Sequence, residues 1–127
     1  MKSRLAPLIA VAFVALFGPA PAPAAELVLF ERAGCIWCER WNAEVGGVYD
    51  KTDEGKRAKL RRVDVARGVP ADLAAVKAVV YTPTFVLVEG GQEIGRIEGY
   101  RDEAFFYAYL DRLLEKAERA KAPASGG

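Results

Sequence analysis

The chain alternates short apolar runs with amphipathic segments, and the order of these segments limits it to a few folds. Residues 26–30 (ELVLF) form a short apolar run that predicts a buried strand. Residues 59–65 (KLRRVDV) predict a second strand, whose charges suit the edge of a sheet. Residues 84–89 (TFVLVE) and 92–98 (QEIGRIE) flank a pair of glycines, a pattern that predicts a β-hairpin.

Three segments between and after these strands have helical spacing. Residues 38–47 carry apolar side chains on one face and end in two glycines. Residues 70–80 (PADLAAVKAVV) start with a proline at a favourable first position and place Leu73, Val76 and Val80 on one face. Residues 102–118 form a longer amphipathic helix, whose expected buried stripe is Phe106, Tyr109, Leu110, Leu113 and Leu114.

The order is therefore strand, helix, strand, helix, hairpin, helix. A helix joins the first two strands, which implies that they are parallel, whereas the hairpin adds antiparallel strands. The sequence predicts an α/β domain with a mixed four-stranded sheet flanked by helices on both faces.

The first 24 residues have the pattern of a secretory signal peptide. A basic start (MKSR) precedes the apolar residues 5–17, and Ala22-Pro23-Ala24 offers small residues to a signal peptidase. The apolar run is shorter than the roughly 20 residues that span a bilayer. We therefore expect a signal peptide at 1–24, a folded domain at 25–118 and a disordered tail at 119–127.

Export and charge narrow the classes of function. Disulfides persist outside the cytosol, so a cysteine pair in an exported chain can rest oxidised. The formal net charge of the whole chain is +1, and removal of Lys2 and Arg4 with the leader would lower it by two units. A near-neutral domain has no global electrostatic reason to bind nucleic acid or an anionic membrane.

The sequence AGCIWCER at residues 33–40 holds the two cysteines of a chain that has no histidine. Cys35 lies where the first strand gives way to the first helix, and the positive end of a helix lowers the pKa of a thiol. Cys38, one turn later on the buried face, is placed to resolve a mixed disulfide. A zinc site would need four ligands, and a bridge closing so short a loop would stabilise the fold little. A zinc site and a purely structural disulfide nevertheless stay open as alternatives to a redox pair.

A second signal is Pro83 in the sequence Thr82-Pro83-Thr84. It is either a proline at the start of a strand or a cis-proline beside the cysteines, with Thr82 offering its backbone N–H and C=O to an extended substrate segment. Trp37 is either a substrate-contacting side chain or a partly exposed packing residue, and Trp41 is expected in the core. Arg32 and Arg40 are expected to be solvated, although a nearby cation would lower the pKa of Cys35.

Taken together, residues 26–118 resemble the thioredoxin superfamily. The matching motifs are Cys35-Ile36-Trp37-Cys38, Thr82-Pro83-Thr84, Gly90-Gly91 and Gly99. Within the superfamily the chain looks most like the small exported thioredoxins associated with bacterial sulfur-oxidation (Sox) gene clusters.

This resemblance implies a thioredoxin-like fold and a thiol–disulfide oxidoreductase. Cys35 would be the nucleophile, Cys38 the resolving thiol and Pro83 the cis-proline. The expected substrate-binding residues are Ile36, Trp37, Thr82 and Pro83.

The chain also departs from thioredoxin proper. Ile36-Trp37 replaces Gly-Pro between the cysteines, and Gly34 replaces the preceding Trp. Leu29 stands where thioredoxin has a buried Asp that accepts the proton of the resolving thiol. Glu31 is nearby in sequence and is expected to face elsewhere, so the proton acceptor is left open, and water is one candidate.

We therefore expect a periplasmic monomer that reduces disulfides of a protein partner and is recharged by a membrane thiol-transfer protein. No bound cofactor or metal is expected, because the cysteines carry the chemistry. Two alternatives stay open: a disulfide-forming or isomerising enzyme on the same fold, and a binding or regulatory protein that uses the fold without turnover.

Overall fold

The computed structural model describes residues 16–18 and 24–123. Most of the expected signal peptide and the last four residues of the expected tail therefore lie outside the described residues. Four strands and three α-helices make up the domain: β1 (Ala25–Glu31), α1 (Ile36–Trp41), α2 (Asp53–Arg57), β2 (Ala58–Asp64), β3 (Thr84–Glu89), β4 (Gln92–Glu98) and α3 (Glu103–Lys121). Among the described residues, no helix combines the length and hydropathy needed to cross a membrane.

The four strands form one mixed sheet in the order β2-β1-β3-β4. β1 pairs in parallel with β2, and it pairs antiparallel with β3, which in turn forms a hairpin with β4. The prediction of a mixed four-stranded sheet is confirmed. β2 lies at an edge as its charges indicated, whereas the apolar β1 and β3 are central.

One face of the sheet carries an aromatic core. Leu27 and Leu29 of β1 are fully buried on this face together with Trp41, as expected for that residue. The Trp41 ring lies 5.1 Å from Phe85 and 5.7 Å from Phe106 between ring centroids. These contacts bring the end of α1 and the start of α3 onto the same face of the sheet.

The opposite face is smaller and is covered by an irregular segment. Val28, Phe30, Val86 and Val88 pack there against Val63 and Leu73. The predicted helix at residues 70–80 is wrong: the segment contains one 3-10 turn, Ala71–Leu73, followed by turns and extended chain. The α-helices therefore lie on one face and short 3-10 turns on the other.

Contacts with β4 explain why the 70–80 segment is not helical. The Lys77 N–H, which a helix would pair with the Leu73 carbonyl, donates instead to Glu93 Oε2 at 3.1 Å. Arg96 donates to the carbonyls of Lys77 at 2.9 Å and Ala78 at 3.2 Å. Because these groups find partners across the fold, and Val side chains are weak helix formers, the local pattern is overridden.

The last helix begins at an Asp102 cap and runs further than expected. The Asp102 side chain accepts from the Phe105 N–H at 2.8 Å, and α3 continues to Lys121. Residues 119–121 of the expected disordered tail are therefore helical, and Lys121 forms an ion pair with Glu89. Of the expected buried stripe, Phe106, Leu110 and Leu114 are buried, Leu113 is half-buried and Tyr109 is exposed.

Candidate active site

Cys35 and Cys38 form a disulfide at the start of α1, with their Cα atoms 5.2 Å apart. Cys35 is the N-cap residue of the helix, and its Sγ accepts from the Cys38 N–H at 3.2 Å. An amide at the start of a helix has no intrahelical partner. The chain therefore turns such an N–H towards the sulfur of the first cysteine.

The two sulfurs lie at the base of an exposed apolar turn. Cys35 is 6% exposed and Cys38 is 3% exposed, whereas Ile36 and Trp37 between them are 71% and 50% exposed. Gly34, just before the pair, has a φ of +74°, a left-handed conformation that strains other residues. A tryptophan at this position would therefore be strained in this backbone conformation.

The segment containing Thr82 and Pro83 lies directly against Cys35. Its carbonyl oxygen at Thr82 is 3.4 Å from Cys35 Sγ, and the Thr82–Pro83 peptide bond is cis. Pro83 is buried, and its carbonyl accepts from the Gly99 N–H at 2.7 Å. The fold thus brings together two motifs that are 47 positions apart in the sequence.

Two exposed apolar residues beside this segment were not expected at the site. Val80 and Tyr81 are 76% and 62% exposed, although Val80 was assigned to the buried face of the predicted helix. Together with Arg32, Val65, Val79 and Thr82 they line a cavity of about 210 Å³. Their position immediately before Thr82-Pro83 could have indicated a place at the site. The predicted helix at residues 70–80 instead assigned Val80 to a buried face.

A second cavity, of about 230 Å³, opens beside Cys38. Leu29 is fully buried in the core, but Glu31 lines this cavity together with Glu39, Asn42 and Asp64. The expectation that Glu31 faces elsewhere is therefore wrong. It is held there by Arg62 of β2, which lies 2.9 Å from the Glu31 carboxylate and donates to Asn42 Oδ1 at 2.7 Å.

Arg40 is exposed, as expected, and it also belongs to a hydrogen-bonded network. Its Nε lies 2.9 Å from Glu44 Oε1, and the Tyr100 hydroxyl donates to Glu44 Oε2 at 2.5 Å. The Tyr100 hydrogen bond, followed by the Arg40 one, lowers the pKa of the Glu44 carboxyl. Burial raises the pKa of Tyr100 and the hydrogen bond to Glu44 adds to this, so Tyr100 is a neutral donor. The sequence offered no signal for Glu44 or Tyr100, because their pairing depends on the fold.

The chemistry available at this site is that of the two sulfurs. Within residues 16–18 and 24–123, no group of three or more Cys, Asp or Glu side chains is arranged to hold a metal ion. The cysteine pair is the feature of the site that can form and break covalent bonds with a partner.

Comparisons with known proteins gave structural matches only. No family model matches the chain, and no curated protein sequence does. The fold is similar to the reduced form of the periplasmic thioredoxin SoxS from Paracoccus pantotrophus, at 43% identity and a TM-score of 0.70. That match covers 73% of this chain and 98% of the other.

Two further matches are more distant. A thioredoxin from Thermus thermophilus is 26% identical, with a TM-score of 0.57, and the match covers 82% of this chain and 84% of that one. A thioredoxin-fold protein from Helicobacter pylori is 22% identical, with a TM-score of 0.59, covering 81% and 78% of the two chains. The second match supports the fold alone.

Proposed function

This chain belongs to the thioredoxin superfamily and is a thiol–disulfide oxidoreductase, and we propose that it reduces disulfides of a protein partner through Cys35. In the reduced protein the Cys35 thiolate attacks one sulfur of the partner disulfide, and the other partner sulfur leaves as a thiolate. Cys38 then attacks the mixed disulfide, which releases the reduced partner and leaves the Cys35–Cys38 disulfide.

The observation that carries this proposal is the placement of Cys35 Sγ. The Cys38 N–H points at it from 3.2 Å, and the Thr82 carbonyl oxygen lies 3.4 Å away. An N–H at the start of a helix stabilises a thiolate, which favours Cys35 as the nucleophile of the reduced protein. Cys38 lies one turn further into the helix, which suits a thiol that acts after the mixed disulfide has formed.

A protein segment is the substrate class that the surroundings favour. We propose that the backbone of Thr82, beside Cys35 Sγ and next to the buried Pro83, pairs with an extended segment as in strand addition. The exposed side chains of Ile36 and Trp37 offer apolar contact next to the sulfurs. We propose these four residues as the substrate-binding set, with Val80 and Tyr81 extending the apolar surface.

Leu29 stands where thioredoxin has a buried acid, so the proton of Cys38 needs a different acceptor. Leu29 cannot accept a proton, whereas the cavity beside Cys38 is open to solvent and is bordered by the Glu31 carboxylate. We propose that water in this cavity accepts the proton when Cys38 attacks the mixed disulfide.

The proposed setting is the periplasm. The 43% identical relative is described as a periplasmic thioredoxin, and residues 1–24 have the pattern of a cleaved signal peptide. Each turnover leaves the cysteines oxidised, so an electron donor must reduce them again. A membrane thiol-transfer protein is the class of donor that can carry electrons to an exported monomer.

Trapping the mixed disulfide tests the proposal directly. A Cys38→Ala variant should accumulate a covalent complex with its partner through Cys35, visible as a larger band on a non-reducing gel and identified by mass spectrometry. The Cys35→Ser variant is the matched control and should trap nothing. In an insulin-reduction assay with dithiothreitol, a wild-type protein no faster than Cys35→Ser would contradict turnover and favour a binding role.

The reduction potential decides the direction of electron flow. We expect a value near the −270 mV or so of thioredoxin, measured by equilibration of the purified domain with glutathione buffers. A value near the −120 mV or so of the strongest disulfide-forming enzymes would contradict a reductase and indicate an oxidase or isomerase on the same fold.

A further inference from the structure

The exposed Trp37 is connected to the buried core by a row of three side chains. The Arg40 guanidinium lies over the Trp37 ring, 5.8 Å from its centroid. Arg40 pairs with Glu44, and Glu44 accepts from the Tyr100 hydroxyl. Tyr100 is 6% exposed, compared with 50% for Trp37, so the row runs from the core to the surface beside the disulfide.

The row is also linked to the segment that contains Pro83. Trp37, Arg40 and Glu44 follow one another at spacings of three and four residues, which places them on one face of α1 and the turn that follows it. Tyr100 comes directly after Gly99, whose N–H donates to the Pro83 carbonyl at 2.7 Å. The residue that anchors the row is therefore adjacent to the contact that holds Pro83.

Stability alone does not account for this arrangement. Arg40 and Glu44 have side chains that are 47% and 36% exposed, and exposed ion pairs contribute little to folding. The order Arg before Glu is also the less favourable one in a helix. What the row does achieve is to restrict the indole of Trp37, because a guanidinium over an aromatic face is attractive and this guanidinium is itself held by Glu44.

We propose that Arg40, Glu44 and Tyr100 are positioning residues that hold the Trp37 indole ready to contact a protein disulfide substrate. This inference rests on the proposed docking role of Trp37. A side chain fixed before binding loses less conformational freedom when the substrate arrives. The benefit applies to a substrate large enough to touch Trp37 and is absent for a small disulfide that reaches only the sulfurs.

The test compares two substrates across matched variants. Glu44→Gln and Tyr100→Phe are measured with insulin and with bis(2-hydroxyethyl) disulfide, and kcat and KM are determined for each. We expect the ratio of kcat/KM for insulin to that for the small disulfide to fall about two- to fivefold, mainly through KM. An unchanged ratio in both variants would overturn the inference.

Two controls separate positioning from general destabilisation. Tyr49→Phe removes a buried hydroxyl that donates to the Ala58 carbonyl at 2.8 Å, away from the row. Glu115→Gln removes a comparable surface pair with Arg119 on α3. Both should leave the substrate ratio unchanged even where they lower the melting temperature. Equal changes in the ratio for the controls would assign the effect to stability and contradict positioning.

A double-mutant cycle completes the experiment. Trp37→Ala should lower the ratio by itself, and adding Glu44→Gln in that background should change it no further, because coupled residues are not additive. If Trp37→Ala leaves insulin reduction intact while Cys35→Ser abolishes it, the positioning inference fails and the redox function stands. If wild type and Cys35→Ser are equally slow, the proposed function fails and the inference with it.

Discussion

Cys35 and Cys38 differ in their polar surroundings more than in their exposure. Cys35 Sγ has an amide N–H and a carbonyl oxygen within 3.4 Å, whereas Cys38 borders a cavity lined by carboxylates. An amide stabilises a thiolate, and nearby carboxylates oppose one. Two cysteines of similar burial are therefore suited to different steps of one exchange reaction.

This difference predicts unequal reactivity in the reduced protein. Cys35 should be alkylated by iodoacetamide faster than Cys38 and at lower pH, because its thiolate is the stabilised one. Mass spectrometry of partially alkylated protein across a pH series measures both sites in one sample. Equal labelling of the two cysteines would contradict the assignment of Cys35 as nucleophile.

Glu44 predicts a pH dependence of stability. Its pKa lies below the usual 4.5, because Tyr100 and then Arg40 donate hydrogen bonds to the ionised carboxylate. A carboxyl whose pKa is depressed on folding stabilises the protein above its unfolded pKa, and that contribution is lost as the pH falls through the folded value. The stability difference between wild type and Glu44→Gln should thus be present at neutral pH and shrink below pH 4.5.

Urea unfolding of wild type and Glu44→Gln at a series of pH values measures this difference. Tyr100→Phe removes the hydrogen bond that lowers the Glu44 pKa most and should move the loss of stability towards higher pH. A difference that stays constant from neutral pH to well below pH 4.5 would show that Glu44 gains nothing from its partners.

At the scale of elements, the short helix α2 depends on a close approach between two turns. Gly55 is buried in α2, and a Cβ there would overlap the Tyr49 carbonyl. Because the clash is with backbone, Gly55→Ala should destabilise the domain by about 2–3 kcal/mol. Gly47→Ala is the matched control, since nothing lies within 4 Å of its added methyl and its effect should be near zero. Urea unfolding distinguishes the two.

The segment before Thr82 depends on Arg96 of β4. The Arg96 side chain is only 16% exposed and is held by Glu93 at 2.6 Å while it donates to two backbone carbonyls. Replacing Arg96 with Met leaves these carbonyls and the Glu93 carboxylate without their charged partner, at a cost of about 2–3 kcal/mol. We expect faster hydrogen exchange at residues 76–81 and a higher KM for insulin.

Arg119→Met is the matched control for Arg96→Met, because the Arg119 side chain is 71% exposed and pairs with Glu115 on the surface. It should change neither the exchange rates nor KM. Unaltered exchange in Arg96→Met would mean that the segment keeps its shape without the arginine.

For the whole molecule, Phe106 of α3 joins several elements in one aromatic cluster. Its ring lies 4.9 Å from Phe85 on β3, 5.7 Å from Trp41 on α1 and 6.4 Å from Tyr100, between centroids. Truncation of the Phe106 side chain would leave a cavity where the sheet meets two helices. Phe106→Ala should lower the free energy of unfolding by about 3–5 kcal/mol.

Phe105→Ala, one position earlier on α3, is the natural comparison. Phe105 is half-buried and packs on Tyr109 near the surface, so its loss should cost clearly less. Both variants can be followed by urea denaturation. Equal losses would mean that the aromatic cluster is not the centre of the core.

Much of the fold follows from contiguous residues. The apolar runs that became β1 and β3, the hairpin at Gly90-Gly91 and the amphipathic α3 are each encoded within a short stretch, since burial and turn chemistry act locally. The position of the cysteines between a strand and a helix is likewise a local feature. It is sufficient to predict that Cys35 lies at the start of a helix.

Other features were decided by tertiary structure because they depend on partners far along the chain. Residues 70–80 have a helical pattern, but Glu93 and Arg96 draw the backbone at Lys77 into another conformation. Glu31 reaches the cavity beside Cys38 because Arg62 holds it there. Glu44 and Tyr100, 56 positions apart, meet only in the folded protein.

The sequence by itself thus determined the strands, the hairpin, the last helix and the chemistry of the cysteine pair. Only the tertiary structure decided which side chains surround that pair, because ion pairs and hydrogen bonds between distant segments leave no periodic signal in the chain. Local sequence specifies the cysteine sulfurs, and the packing of distant segments specifies the surface around them.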